Sequence, residues 1–105
     1  MSRDDADRYA GRPFVRLLDC FVLWAIGELP ADQAAQLTEI TPNLQRVYGS
    51  TGTWQEIVAE QMDIGETLPG KLRTMWERNT ELARQRRERL SAQDWARAVV
   101  DQNFI

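Results

Sequence analysis

Residues 14–29 read Phe-Val-Arg-Leu-Leu-Asp-Cys-Phe-Val-Leu-Trp-Ala-Ile-Gly-Glu-Leu, and the segment 20–26 within them has no polar side chain. Pro13 precedes the run, where a first helical residue tolerates proline, and Gly27 follows it as a stop signal. A helix through this run would be apolar on every face, so other helices have to surround it. The pattern therefore predicts a buried central helix over about residues 13–29.

The same stretch is a poor candidate for a membrane span or a signal peptide. A transmembrane helix needs about 20 predominantly apolar residues, and Arg16, Asp19 and Glu28 interrupt this one. A secretory signal needs a positively charged leader, whereas residues 1–12 carry three arginines against three aspartates. We therefore expect a cytoplasmic protein without a membrane partner.

The composition is that of a globular domain, with 43% hydrophobic and 28% charged residues. A chain of 105 residues is long enough for one core, burying about 60–65% of its unfolded surface. We predict a single helical domain over residues 1–105, with residues 1–12 as a flexible lead-in. Twelve arginines against one lysine are a bias expected of a GC-rich genome, which suggests a bacterial source.

The net charge of −3 is unevenly distributed along the chain. Residues 1–70 hold eleven acidic residues against five arginines, whereas residues 71–105 hold eight basic residues against five acidic ones. Such a separation can steer the approach of a partner. It also arises when a long, highly charged, exposed helix falls in the second part of the chain.

The residue types that most enzymes use are scarce in this chain. Histidine is absent, which excludes Ser-His and Cys-His chemistry. The single cysteine, Cys20, lies in the most apolar stretch, where a thiol behaves as a small hydrophobe. The carboxylates Glu56, Glu60 and Asp63 are spaced like an ordinary polar helix face and lack a calcium-loop pattern. We therefore predict a protein that is not an enzyme and has no cofactor or metal.

Helix start signals recur after the central helix. The predicted starts are Pro30 to Asp32, Thr41 to Pro42, the capping box Thr53 to Glu56, Pro69, and Ser91 to Asp94. The segment that begins at Pro69 is the longest, and we predict that it forms an outer helix over about residues 69–90. The predicted fold is all-α, a compact bundle of five or six helices around the buried central helix.

The long outer helix carries the candidate binding residues. Its apolar stripe is narrow, which is typical of a helix laid across a bundle or paired with a second chain. Trp76 lies on this stripe, and tryptophan is common at binding hot spots, although core packing is the alternative. Arg84, Arg86, Arg87 and Arg89 lie near the end of the helix, where they could bind an acidic partner or form a solvated helix end.

Residues 57–64, Ile-Val-Ala-Glu-Gln-Met-Asp-Ile, resemble the first helix and turn of helix-turn-helix DNA-binding proteins. The resemblance covers these eight residues and ends at the turn, where Asp63 replaces the usual glycine. Pro69 and Gly70 would fall inside the recognition helix, where proline is unfavourable. Acidic side chains also surround the place where phosphate would approach. These features disfavour DNA reading through this motif.

The function that these patterns favour is that of a small non-enzymatic protein-protein interaction module of the bacterial cytoplasm. An immunity-type protein that neutralises a toxin and an adaptor both fit its size and acidity. The partner would be another protein, or a second copy in a homodimer formed through the long helix. The alternative is a dimeric nucleic-acid-binding regulator that uses the arginine-rich end of that helix.

Overall fold

The structure, a computed structural model, describes residues 15–102, and all regular structure in this range is α-helical. The described helices are α1 over 15–25, α2 Ala31–Tyr48, α3 Trp54–Met62, α4 Leu68–Gln85 and α5 Ala92–Asp101. The prediction of an all-α fold compatible with a compact bundle is confirmed. The predicted lead-in over 1–12 and the predicted start of the central helix at residue 13 lie outside the described residues.

Helix α1 supplies the centre of the core. Its buried residues are Leu17, Leu18, Phe21, Val22, Leu23 and Ala25, with Ile26 directly after the helix. Each other described helix contributes to the same cluster, through Leu37, Trp54, Val58, Leu72, Ala96 and Val100. The helix is not buried on every face, because Trp24 remains 40% exposed and packs its ring against Phe21 and Trp54 at centroid distances of 5.5 and 6.2 Å.

The predicted break at Thr41-Pro42 is wrong, because α2 continues through Pro42 as one helix. Pro42 lacks the N–H that would otherwise donate to the carbonyl of Thr38, four residues earlier in the helix. The Thr41 hydroxyl donates to the carbonyl of Leu37 at 2.7 Å. Continuing the helix keeps Leu37 and Leu44, seven residues apart, on the side that packs against the core. Packing of this side therefore prevails over the local start signal.

The hydroxyl caps predicted for α3 and α5 are present, but among the described hydrogen bonds the Glu56 carboxylate meets the Thr53 hydroxyl and not, as a capping box requires, its backbone N–H. The hydroxyl of Thr53 accepts from the backbone N–H of Glu56 at 3.2 Å and donates to its carboxylate at the same distance. The hydroxyl of Ser91 accepts from the N–H of Asp94 at 3.4 Å. Both bonds satisfy N–H groups that the first helical turn leaves without a partner.

Helix α4 ends at Gln85, so the predicted outer helix over 69–90 is too long at its C-terminal end. The chain turns because Arg87 takes a left-handed conformation with φ 56°. The N–H of Glu88 donates to the carbonyl of Ala83 at 2.8 Å, and that of Arg87 donates to the carbonyl of Arg84 at 3.1 Å. These two bonds form a Schellman motif, which closes the helix.

A similar closure ends α1, α2 and α3, although in α2 the N–H of Gly49 donates to the carbonyl of Gln45 rather than of Arg46. Its left-handed residue is Gly27, Gly49 and Asp63 respectively. The 6→1 bonds run from Glu28 to Leu23, from Ser50 to Gln45 and from Ile64 to Ala59. Helix α3 therefore ends at Met62, with Asp63 rather than a glycine in the left-handed position. None of the described helices is long and apolar enough to cross a membrane.

Candidate protein-binding surface

Trp76, the predicted partner-binding tryptophan, packs within its own chain. Its ring meets that of Trp95 on α5 edge to face, with centroids 5.4 Å apart and planes at 61°. Both side chains are half-buried at the border of the core. This contact joins α4 to α5 and leaves only part of the Trp76 ring accessible to a partner.

The four predicted arginines are all exposed, but the turn after α4 separates them. Arg84 lies in the last helical turn and pairs with Glu81 at 3.6 Å. Arg86 is the C-terminal cap residue, Arg87 is the left-handed residue of the turn, and Arg89 lies in the following loop. The prediction that they share the end of one continuous helix is therefore wrong. Arg86, Arg87 and Arg89 instead line the α4–α5 connection.

A different part of α4 presents apolar side chains to solvent. Met75 is 47% exposed and Leu82 is 42% exposed. Residues seven apart lie on the same side of a helix, so the two form one row. The neighbouring row of Leu72 and Ala83 is buried, so the core covers only one side of the predicted stripe.

Basic side chains flank this row. Lys71 and Arg78 lie four residues before and three residues after Met75, which places both beside it on the helix surface. Both are exposed, and neither forms an ion pair within the described residues. We call the surface formed by Lys71, Met75, Arg78 and Leu82 the α4 face.

The acidic side chains of α4 lie away from this face. Glu77 pairs with Arg73 at 3.8 Å, and Glu81 pairs with Arg84 at 3.6 Å. At 3.6 residues per turn, both carboxylates fall well over a quarter of a turn from the apolar row. The intrahelical ion pairs thus occupy the far side, while the cations beside the apolar row remain unpaired within the described residues.

A shallow, open groove continues the α4 face towards the start of the helix. Its lining residues are Thr67, Gly70, Lys71, Thr74 and Met75. Gly70 has no side chain, and a Cβ placed on it would meet no atom within 4 Å. The backbone is therefore accessible there, and a side chain of a partner can approach the helix closely.

Helix α2 carries a second exposed apolar pair. Ile40 is 41% exposed and Val47, seven residues later, is 74% exposed. Glu39 and Arg46, both exposed, each stand one residue before a member of the pair and lie about a quarter of a turn to one side of it, so this side carries both signs of charge. We call the surface formed by these four residues the α2 face.

Asp19 and Cys20 are the ionisable groups of α1 that contact the interior. One carboxylate oxygen of Asp19 is buried without a hydrogen-bond partner. Burial raises the pKa of Asp19, Arg97 on α5 opposes this rise, and Asp101 adds to it. No ion pair joins Asp19 to Arg16 three residues earlier, and the charges that act on this partly buried carboxylate are those of Arg97 and Asp101 on α5.

The Cys20 thiol has no disulfide partner and packs against the core. Burial raises its pKa, the carboxylate of Asp19 raises it further, and Arg16 acts in the opposite direction. A raised pKa disfavours the thiolate, which is the reactive form. The geometry therefore agrees with a packing role for this side chain.

No group of three metal-ligating side chains occurs among residues 15–102. Glu56, Glu60 and Asp63 project from the end and outer side of α3 and are exposed. Comparisons of this chain with protein-family models, with curated proteins and with solved structures found no match. The function of the chain is therefore inferred from the surfaces of the described residues.

Proposed function

We propose that this chain is a non-enzymatic protein-protein interaction module that binds its partner through the α4 face. An adaptor or an immunity-type protein of the bacterial cytoplasm is the role that this proposal implies. The observation that carries it is the exposed pair Met75 and Leu82 beside the unpaired cations Lys71 and Arg78.

The apolar pair supplies a reason to bind. Single exposed apolar side chains are normal on protein surfaces. Two at a spacing of seven residues form a row that an amphipathic partner helix can cover with its own apolar row. Removal of this surface from water contributes about 25 cal/mol per Å² of apolar area.

The cations supply selectivity. Lys71 and Arg78 would repel a basic partner and attract carboxylates that flank an apolar row. Their charges are exposed, so they affect the association rate and partner choice more than the final affinity. The partner most compatible with this face is an amphipathic segment with acidic flanks.

Affinity capture from the source organism tests the proposal by comparison of three baits. The bait with Met75→Ser and Leu82→Ser removes the apolar pair of the α4 face. The control bait with Ile40→Ser and Val47→Ser removes the exposed apolar pair of α2, of which Val47 is the more exposed at 74%. We expect a stoichiometric protein that the wild-type and control baits retain and the α4 bait loses.

The captured protein is then purified, and calorimetry measures its affinity for each bait. Equal affinity for the wild type and the Met75/Leu82 variant would refute the assignment of the α4 face. A lower affinity for both variants would instead implicate the α2 face as well.

A second candidate function is binding of nucleic acid through the α4–α5 connection. The observation that favours it is the exposure of Arg86, Arg87 and Arg89 within four residues, without an ion pair in the described part of the chain. This function predicts a duplex affinity that falls steeply with salt. It also predicts loss of binding in the Arg86→Ala/Arg87→Ala variant, with Glu60→Ala as the matched control. Unchanged binding in the arginine variant would exclude this mode.

A further inference from the structure

We infer that the partner of the α4 face binds through an α-helix that carries its carboxylates along only one edge of its apolar row. This inference depends on the proposed function, because it takes the α4 face as the binding surface. It goes beyond the proposal by specifying the secondary structure of the partner segment and the edge on which its charges lie.

The cations of the α4 face form a row on one side of its apolar row. Lys71 lies four residues before Met75, and all four side chains of the face are exposed. Arg78 likewise lies four residues before Leu82. Each cation is therefore turned by about 40° to the same side of the apolar residue that follows it. A partner that covers the apolar row meets both positive charges on one edge of the contact.

The opposite side of the apolar row carries no charge within α4. Leu72 is buried there as part of the core, and Asn79 is half-buried. Carboxylates of a partner on this side would lose water without meeting a cation of the helix, which is unfavourable. Acidic residues on both edges of the partner helix would therefore weaken binding, whereas acidic residues on the edge that faces the cations strengthen it.

The positive charge of the α4 face is available to a partner. The row beyond the cations is uncharged and contains Thr74 and Gln85. It separates the cations from Glu81, which pairs with Arg84 at 3.6 Å. Neither cation of the face forms an ion pair in the described part of the chain, so a carboxylate of the partner displaces no internal contact of that kind.

The spacing within the two rows favours a helix over an extended strand as the partner segment. In each row the two side chains are seven residues apart, which corresponds to about 10.5 Å along the axis of α4. A second helix presents the same side every seven residues and therefore at the same interval. A strand presents one face at multiples of about 6.8 Å and misses this interval. The partner helix thus needs apolar residues seven apart and carboxylates seven apart on one edge.

Charge reversal on two sides of α4 provides the test, with the purified protein that the wild-type chain captures as the probe. The first variant carries Lys71→Glu and Arg78→Glu. The control carries Arg73→Glu and Arg84→Glu, which changes the net charge equally on the far side of the same helix. Stopped-flow mixing measures the association rate of each full chain at about 50 and 500 mM salt. Circular dichroism verifies that each variant is folded.

We expect an association rate at least about tenfold lower for the first variant at low salt. The difference should shrink at high salt, because screening weakens electrostatic steering. The control should remain close to the wild type. Hydrogen exchange of the captured protein should show one protected helix with Asp or Glu seven residues apart on one edge. Replacement of these two carboxylates by lysine should restore fast association with the first variant.

Equal rates for the wild type and the first variant, or equal losses in the first variant and the control, would overturn the inference. A protected segment that is extended, or that lacks the acidic row, would also overturn it, as would nucleic acid as the only retained molecule. Failure here is distinct from failure of the proposed function. A captured protein that needs Met75 and Leu82 but is insensitive to charge at positions 71 and 78 contradicts only this inference, whereas the absence of any captured protein contradicts both.

Discussion

Replacement of Arg87 by glycine should stabilise the protein. Arg87 has φ 56°, and a left-handed conformation costs an L-residue about 1–2 kcal/mol, a penalty that glycine avoids. Glycine also lowers the free energy of unfolding by about 0.4–1 kcal/mol, because it gives the unfolded chain more conformational freedom. The net gain in the free energy of unfolding is therefore about 0.5–1 kcal/mol. The Arg87 side chain is exposed and forms no ion pair within the described residues, so the substitution removes no such contact.

The matched control is Arg86→Gly. Arg86 precedes Arg87 and has φ −86°, which an ordinary residue adopts without strain. Glycine there gains nothing in the folded state and should lower the free energy of unfolding by about 0.4–1 kcal/mol. Both variants remove one positive charge near the same helix end, so the electrostatic contribution largely cancels between them.

Urea unfolding followed by circular dichroism measures the difference between the two variants. A gain of 0.5–1 kcal/mol corresponds to a rise in Tm of about 2–8 °C for a domain of this size. We expect a higher urea midpoint for Arg87→Gly than for the wild type and a lower one for Arg86→Gly. A lower midpoint for Arg87→Gly, or equal effects of the two substitutions, would refute the assigned turn.

Three further predictions concern α2, α4 and α1. Pro42→Ala should raise the free energy of unfolding, measured in urea titrations, by about 2 kcal/mol, because the carbonyl of Thr38 regains an intrahelical donor. An unchanged urea midpoint would contradict the continuous helix. Gly70→Ala should stabilise the free protein by about 0.5–1 kcal/mol. The same substitution should weaken partner binding, measured by calorimetry, because the added methyl group fills the groove. Unaltered affinity would mean that no partner approaches the helix there. Burial raises the pKa of Asp19 above 3.8, so the folded state binds its proton more tightly than the unfolded state. Asp19→Asn should therefore increase the urea midpoint at pH 7, and the increase should shrink as pH falls through the folded pKa towards 3.8. An increase that does not depend on pH would contradict the unpartnered carboxylate.

The features that depend on local chemistry could be predicted from the sequence. The length of the apolar run around Val22 and the flanking Pro13 and Gly27 favoured a helix covered by others, and Val22 is fully buried. The caps at Thr53 and Ser91 each need only a hydroxyl and an N–H three residues on. At these positions the packing of the chain agrees with the local signal, so the signal and the structure coincide.

The features that depend on tertiary packing could not be predicted. A proline after threonine begins many helices, and only the packing of Leu37 and Leu44 shows that α2 continues through it. The end of α4 had no glycine signal, because an arginine occupies the left-handed position at residue 87. The predicted helix was therefore too long.

In the candidate site, too, some features could be predicted from the sequence and others could not. Exposure of the arginine cluster followed from its charge. The exposure of Met75 could not be predicted, because its row and the buried row that contains Leu72 lie side by side within one apolar stripe. Only the packed structure shows which of the two rows the core covers.

Site-specific photo-cross-linking in the source organism tests the central claim most directly. A photoreactive amino acid replaces Met75 on the α4 face or, as a control, the exposed Glu60 on α3. We expect position 75 to yield one discrete cross-linked product, to a partner protein or to a second copy, and position 60 to yield none. No product from position 75, or the same product from both positions, would contradict the claim that the α4 face is the binding surface.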